Sequence, residues 1–115
     1  AFMPYIKLKT NVEISKEKQV QLKDIFGKKI SLLPGKSEYY LMVEIEDQRA
    51  LYFQGSDSPC AILEVKLYSP NSRAETASLS KVLTDSVSSS LQIDSDRIYV
   101  EYELTPKWAM GGEEF

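Results

Sequence analysis

Residues 4–10, PYIKLKT, alternate apolar and polar positions, with Ile6 and Leu8 against Lys7 and Lys9. That period predicts a half-buried strand. The period then changes. Behind a Ser15 cap, Leu22, Ile25, Phe26, Ile30 and Leu33 recur at helical spacing, which predicts a helix to about Leu33, where Pro34-Gly35 ends it. Gly27 inside it costs roughly 1 kcal/mol relative to Ala. YYLMVEIED (39–47) returns to alternation: Leu41, Val43 and Ile45 on one face, Met42, Glu44 and Glu46 on the other. A short edge segment follows at Leu51–Phe53, and GSDSP (55–59) is turn chemistry. CAILEVKLYS (60–69) is a long strand, with Leu63, Val65 and Leu67 opposed to Glu64, Lys66 and Tyr68. Pro70-Asn71 breaks it. Ser72-Arg73-Ala74-Glu75 reads as a capping box. The next helix presents Leu79, Val82, Leu83, Ser86, Val87, Ser90 and Leu91 on one face. DSDR (94–97) turns the chain into a last strand, RIYVEYEL (97–104).

The element order is thus β-α-β, a short edge strand, β-α-β and a tail. VEIE (43–46) and VEYE (100–103) echo one another at the end of each unit. The predicted class is α+β: two β-α-β units forming one sheet, with both helices on one face. The aliphatic face takes the helices. The other carries Lys7, Lys9, Glu44, Glu46, Glu64, Lys66, Glu101 and Glu103. Pattern alone leaves two readings of it: a solvated face, or a subunit interface or lumen where opposite charges pair.

Composition narrows the chemistry. At 115 residues the chain is one domain, and 43% hydrophobic against 27% charged is globular. No apolar run approaches the roughly 18 residues of a membrane helix, and no basic segment leads into an apolar core as in a secretory signal. Net charge is −3 with dispersed lysines and arginines, which argues against nucleic acid. There is no histidine, so Ser-His and Cys-His pairs and the commonest zinc ligand are excluded. Cys60 is the only cysteine and reads as a small packed hydrophobe. A base must come from a carboxylate, lysine, tyrosine or an N-terminal amine.

Four stretches, MPYIKLKTNV (3–12), LYFQGSDSPCAILEV (51–65), DRIYVEYE (96–103) and WAMGGEEF (108–115), carry a resemblance to the macrophage migration inhibitory factor family of the tautomerase superfamily. It rests on Met-Pro with Thr-Asn-Val, Gly-Ser-x-x-Pro-Cys-Ala, Asp-Arg-Ile-Tyr and a terminal Gly-x-x-Phe, in that order. It spans Pro4 to Phe115 as one domain. LYFQGS (51–56) also looks like a tag-protease site, but it fits the family's edge strand and turn and is read as native. Ala1 and Phe2 read as an addition ahead of an initiator Met3.

The resemblance implies a homotrimer whose sheets enclose a barrel, with active sites between subunits around an N-terminal proline and no cofactor. It implies a keto–enol tautomerase of the phenylpyruvate or dopachrome type, acting on a small aromatic keto acid. Pro4, once N-terminal, is the catalytic base: a free α-amine starts near pKa 7.7–8.0, and burial beside a cation lowers it. Joined to Met3 its nitrogen is an amide, so the extended chain is expected to be inactive. Lys36 matches the lysine that holds the substrate carboxylate, and Tyr99 the tyrosine contributed by a neighbouring subunit. Tyr40 matches a pocket-wall position, and Tyr5, Trp108, Met110 and Phe115 an apolar wall that suits an aromatic ring. Without the resemblance, Pro4 is simply a strand opener, Lys36 an exposed loop lysine, and Trp108 and Phe115 a packed tail.

Some positions depart from the family pattern. Leu67, Tyr68 and the following Ser-Pro stand where many relatives have Ser-Ile-Gly near the pocket. Glu101 replaces an amide and would repel a nearby carboxylate, and Met110 replaces a tryptophan. These departures keep open an alternative, a cytokine-like binding protein with a vestigial pocket and a cell-surface receptor. A third reading is a superfamily dehalogenase or hydratase. Expected localisation is cytoplasmic, or secreted without a signal peptide as for some animal members, and no membrane partner is expected.

Overall fold

The computed structural model describes residues 4–33, 35, 37–69 and 76–115. Four strands form one sheet: β1 (Pro4–Thr10), β2 (Met42–Glu46), β3 (Ala61–Tyr68) and β4 (Ile98–Thr105), in spatial order β2-β1-β3-β4. β1 is parallel to β2, and β3 to β4; β1 and β3 meet antiparallel at the centre. Each parallel pair needs a crossover, and each crossover is a helix: α1 (Lys16–Lys29) in the first, α2 (Ala77–Leu91) in the second. The two β-α-β units therefore lie side by side, as their sequence echo suggested.

Strand parity decides which side is buried. Ile6 and Leu8 of β1 and Leu63, Val65 and Leu67 of β3 are at most 1% exposed. They pack against Leu22, Phe26 and Ile30 from the first crossover and Leu79, Leu83 and Val87 from the second. Fully burying each such side chain contributes about 1.5–3 kcal/mol. Both helices thus share one face of the sheet.

The ends of the first helix follow local chemistry. Ser15 Oγ accepts from the Lys18 N–H at 3.2 Å, and Lys28 and Lys29 occupy the last turn, where the helix dipole favours cations. Regular helix ends at Lys29, not near Leu33; a 3-10 turn over Ile30–Leu32 carries the chain on. Gly27 is buried for a reason periodicity cannot show. A Cβ there would lie 2.2 Å from Glu38 Cδ. The atoms it would meet belong to the end of the Glu38 side chain, which lies over Gly27 from the 3-10 turn Glu38–Tyr40 that precedes β2.

Other expectations need correction. The alternating stretch 39–47 is strand only from Met42. The edge segment at Leu51–Phe53 is not a strand: a single bridge pairs Phe53 with Ser56 around Gln54-Gly55, whose φ values are 57° and 73°. Two positive φ values in a two-residue loop suit a tight reversal rather than pairing to the sheet. The Ser72–Glu75 capping box lies outside the described residues; α2 begins after Thr76, whose side chain makes no cap bond. The tail is a small hairpin, β5 (Ala109–Met110) with β6 (Glu113–Glu114), turned at Gly111-Gly112.

The second face of the sheet is polar, as parity predicts, and its charges interact in part. Lys7 Nζ pairs with Glu46 at 2.9 Å, and the Tyr5 hydroxyl donates to Glu44. Glu64 and Glu101 are register partners of like sign on β3 and β4.

Candidate active site

Pro4 opens β1, where its missing N–H costs the ladder little. It is buried, opposite Leu67 of β3. Tyr5, next in the strand, points to the polar face, opposite both Met42 and Lys66. The chain's tail crosses nearby. Together these segments line a half-open cavity of about 340 Å³. Its lining includes five residues named from sequence, Pro4, Tyr5, Tyr40, Trp108 and Met110, and three that were not: Met42, Lys66 and Ala109.

The electrostatics of the floor are specific. The Tyr5 phenol is pushed up to about 12, first by donating to Glu44, then by burial and the Glu44 charge. Tyr5 therefore keeps its proton at neutral pH and spends its hydroxyl on Glu44, so what it offers a ligand is its ring. Lys66 Nζ lies 5.6 Å from the centroid of that ring. Lys7 is raised and Glu46 lowered chiefly by their mutual hydrogen bond.

The remaining candidates fall elsewhere. Lys36 lies outside the described residues. Leu67 needs correction as a lining side chain: parity sends it to the helix-covered core at 0% exposure. Tyr68 and Phe115 pack on one another, ring centroids 5.8 Å apart, and neither lines the cavity. Tyr99 is exposed on the polar face and packs on Phe53 at 4.9 Å. Leu104 is the register partner of Leu67, which in turn faces Pro4. Tyr99 is five positions back along β4, about 17 Å at strand rise. It cannot reach the cavity of its own chain. Glu101, also exposed, is three positions back and two strands away.

Three of the motifs that carried the resemblance converge on one loop instead of on the cavity. Asn11 Nδ2 donates to the carbonyls of Leu51, Asp57 and Ser58, and its Oδ1 accepts from the Cys60 N–H at 3.1 Å. Arg97 donates to the carbonyls of Phe53, Ser56, Ser58 and Pro59 at 2.9–3.2 Å and lies over the Phe53 ring. Thr-Asn-Val and Asp-Arg-Ile-Tyr thus hold Gly-Ser-x-x-Pro-Cys-Ala in shape. An amide and a guanidinium, side chains that can each bind several backbone groups at once, were the available signal. Lys66 was missed as a cavity residue because its meeting with Tyr5 depends on the β1–β3 register.

A paired β-α-β domain with an aromatic-walled cavity at a strand-opening proline defines a class, the tautomerase superfamily. Within it, the family model described as macrophage migration inhibitory factor (MIF) matches residues 3–114, and the chain belongs to that family. The family includes tautomerases and cytokines. A macrophage migration inhibitory factor homolog from Brugia malayi is 32% identical over 110 residues, covering 87% of this chain and 86% of the relative. The factor from Meriones unguiculatus is 28% identical over 100 residues, with the same coverage. Among solved structures, Leishmania major MIF2 superposes with TM-score 0.87 at 23% identity, covering 98% of this chain and 97% of that one. The homologue from Prochlorococcus marinus gives 0.82 at 25% identity, covering 96% and 98%. Among the described residues no helix is long and apolar enough to cross a membrane.

Proposed function

We propose that this chain, when it begins at Pro4, is a keto–enol tautomerase for a small aromatic keto acid. The observation that carries the reading is Pro4 at the wall of the cavity formed with Tyr5, Tyr40, Trp108 and Met110. A free proline amine there takes a proton from the carbon beside the keto group, and the enol collapses to the ketone as a proton returns. Aromatic walls hold the ring, exclude water and favour the neutral amine. Family membership supports the reaction class. Lys36 is assigned the substrate carboxylate by resemblance alone.

The working unit in this reading is a homotrimer. The position of Tyr99, about 17 Å along the strand from the Pro4 end, supports a role in a neighbour's cavity. Sedimentation giving only the 13.1 kDa species would remove that shared site. The catalytic reading is tested by phenylpyruvate ketonisation with chain starting at Pro4, with its Pro4→Gly variant, and with the 115-residue form. Activity in the first and loss of at least about a hundredfold in the 115-residue form, whose Pro4 nitrogen is an amide, is expected for a missing general base, while Pro4→Gly, which keeps a primary α-amine, is expected to be slower than the parent. Equal rates in all three would reject it.

A second reading, a binding protein with a reduced pocket, is favoured by one observation. Tyr68 and Phe115 pack on each other outside the cavity, so the wall lacks both rings. Receptor binding by a Pro4-initiated chain without turnover would select it.

A further inference from the structure

We propose that Lys66 is an anion-recognition residue of the Pro4 cavity, and that the ligand it selects carries a carboxylate attached to an aromatic or apolar body. The proposal rests on reading this cavity as a ligand site and deepens it by assigning a residue to the charge of the ligand.

Three observations converge on Lys66. First, its charge is uncompensated within the chain. Lys7 pairs with Glu46, and Glu44 accepts from Tyr5, but among the described residues no carboxylate lies within salt-bridge distance of Lys66. This holds although Glu103 is its register partner on β4. Second, its ammonium lies over the Tyr5 ring and lines the cavity. A ring face attracts a cation but gives poor hydrogen-bond acceptance, so the three ammonium donors remain available to a ligand. Third, the donation from Tyr5 to Glu44 holds the ring as a floor and engages Glu44 with a partner other than Lys66.

The surroundings fit an amphipathic acid. Met42, Trp108 and Met110 give the cavity apolar walls. A carboxylate drawn to Lys66 would lay its body against them, where reduced access of water strengthens the ion pair. A neutral ligand gains nothing from the lysine.

The test uses the chain beginning at Pro4, with each probe first equilibrated between its keto and enol forms so that turnover makes no net change during the titration. Trp108 is the sole tryptophan and lines the cavity, so its fluorescence reports occupancy. The probes are phenylpyruvate and its methyl ester. Lys66→Met is expected to weaken phenylpyruvate binding by about tenfold or more, the loss of one charge-assisted contact, while ester binding stays unchanged. Lys66→Arg keeps the charge and is expected to retain acid binding within about threefold. Unchanged acid binding in Lys66→Met overturns the proposal, as does equal loss of acid and ester, which would mean that the lysine only packs. Carboxylate-dependent binding through Lys66 in a chain without Pro4-dependent turnover supports this proposal and removes the tautomerase reading, so the two fail separately.

Discussion

Arg97→Met removes the guanidinium that ties the 51–60 loop while keeping a similar apolar stem. Four carbonyls lose a donor. Those of Ser58 and Pro59 are in exposed contacts and can turn to water; those of Phe53 and Ser56 are part-buried. Counting only the latter pair, at about 1–2 kcal/mol each for a charge-assisted bond that water partly replaces, gives a loss of about 2–4 kcal/mol. At roughly 4 °C per kcal/mol for a chain of this length, Tm falls by about 8–16 °C. Arg97→Lys keeps the charge but not the fork, and should recover less than half. Urea titration followed by far-UV circular dichroism measures both variants. Phe53 also packs on Tyr99, so tyrosine environment should change with stability. A loss below about 0.5 kcal/mol for Arg97→Met would refute the idea that this side chain organises the loop.

Leu67→Ala should cost about 2–5 kcal/mol, because the side chain is fully buried and its neighbours cannot close the space; an unchanged urea midpoint would contradict its core position. The Tyr5 phenol is held near 12 in the fold, against about 10 when unfolded. Its contribution is therefore fully present below pH 10 and is lost as pH rises towards 12. Comparing urea midpoints of the parent and Tyr5→Phe between pH 9 and 12 should show a steeper fall in the parent. Glu44→Gln should bring the Tyr5 tyrosinate absorbance back towards pH 10, and no movement would contradict the hydrogen bond as its cause.

Periodicity made the sheet faces and both helices legible, because a strand that buries one side must alternate and a helix that buries one side must repeat every three or four residues. Ile6, Leu63 and Leu83 were placed correctly on that ground alone. Contacts between distant segments were not legible. Gly27 read as a weakness because nothing local shows Glu38 lying against it. Leu51–Phe53 read as a short edge segment that fits the family's edge strand, yet two positive φ values at Gln54-Gly55 reverse the chain at once. Of the site, Pro4, Tyr5, Tyr40, Trp108 and Met110 came from resemblance and line one cavity. Leu67 was placed wrongly as a wall residue although its own strand parity pointed inward. Lys66 needed the register of β1 against β3, which no single stretch contains.

The central claim is that a free Pro4 amine is the base. Its direct measure is a pH titration of the Pro4 nitrogen by ¹⁵N NMR in a chain beginning at Pro4, alongside the pH dependence of kcat/KM for phenylpyruvate. The account predicts a pKa below the ordinary α-amine range of about 7.7–8.0, with the acidic limb of kcat/KM following the same value. A Pro4 pKa at or above that range, or a rate that ignores the protonation of Pro4, would contradict it.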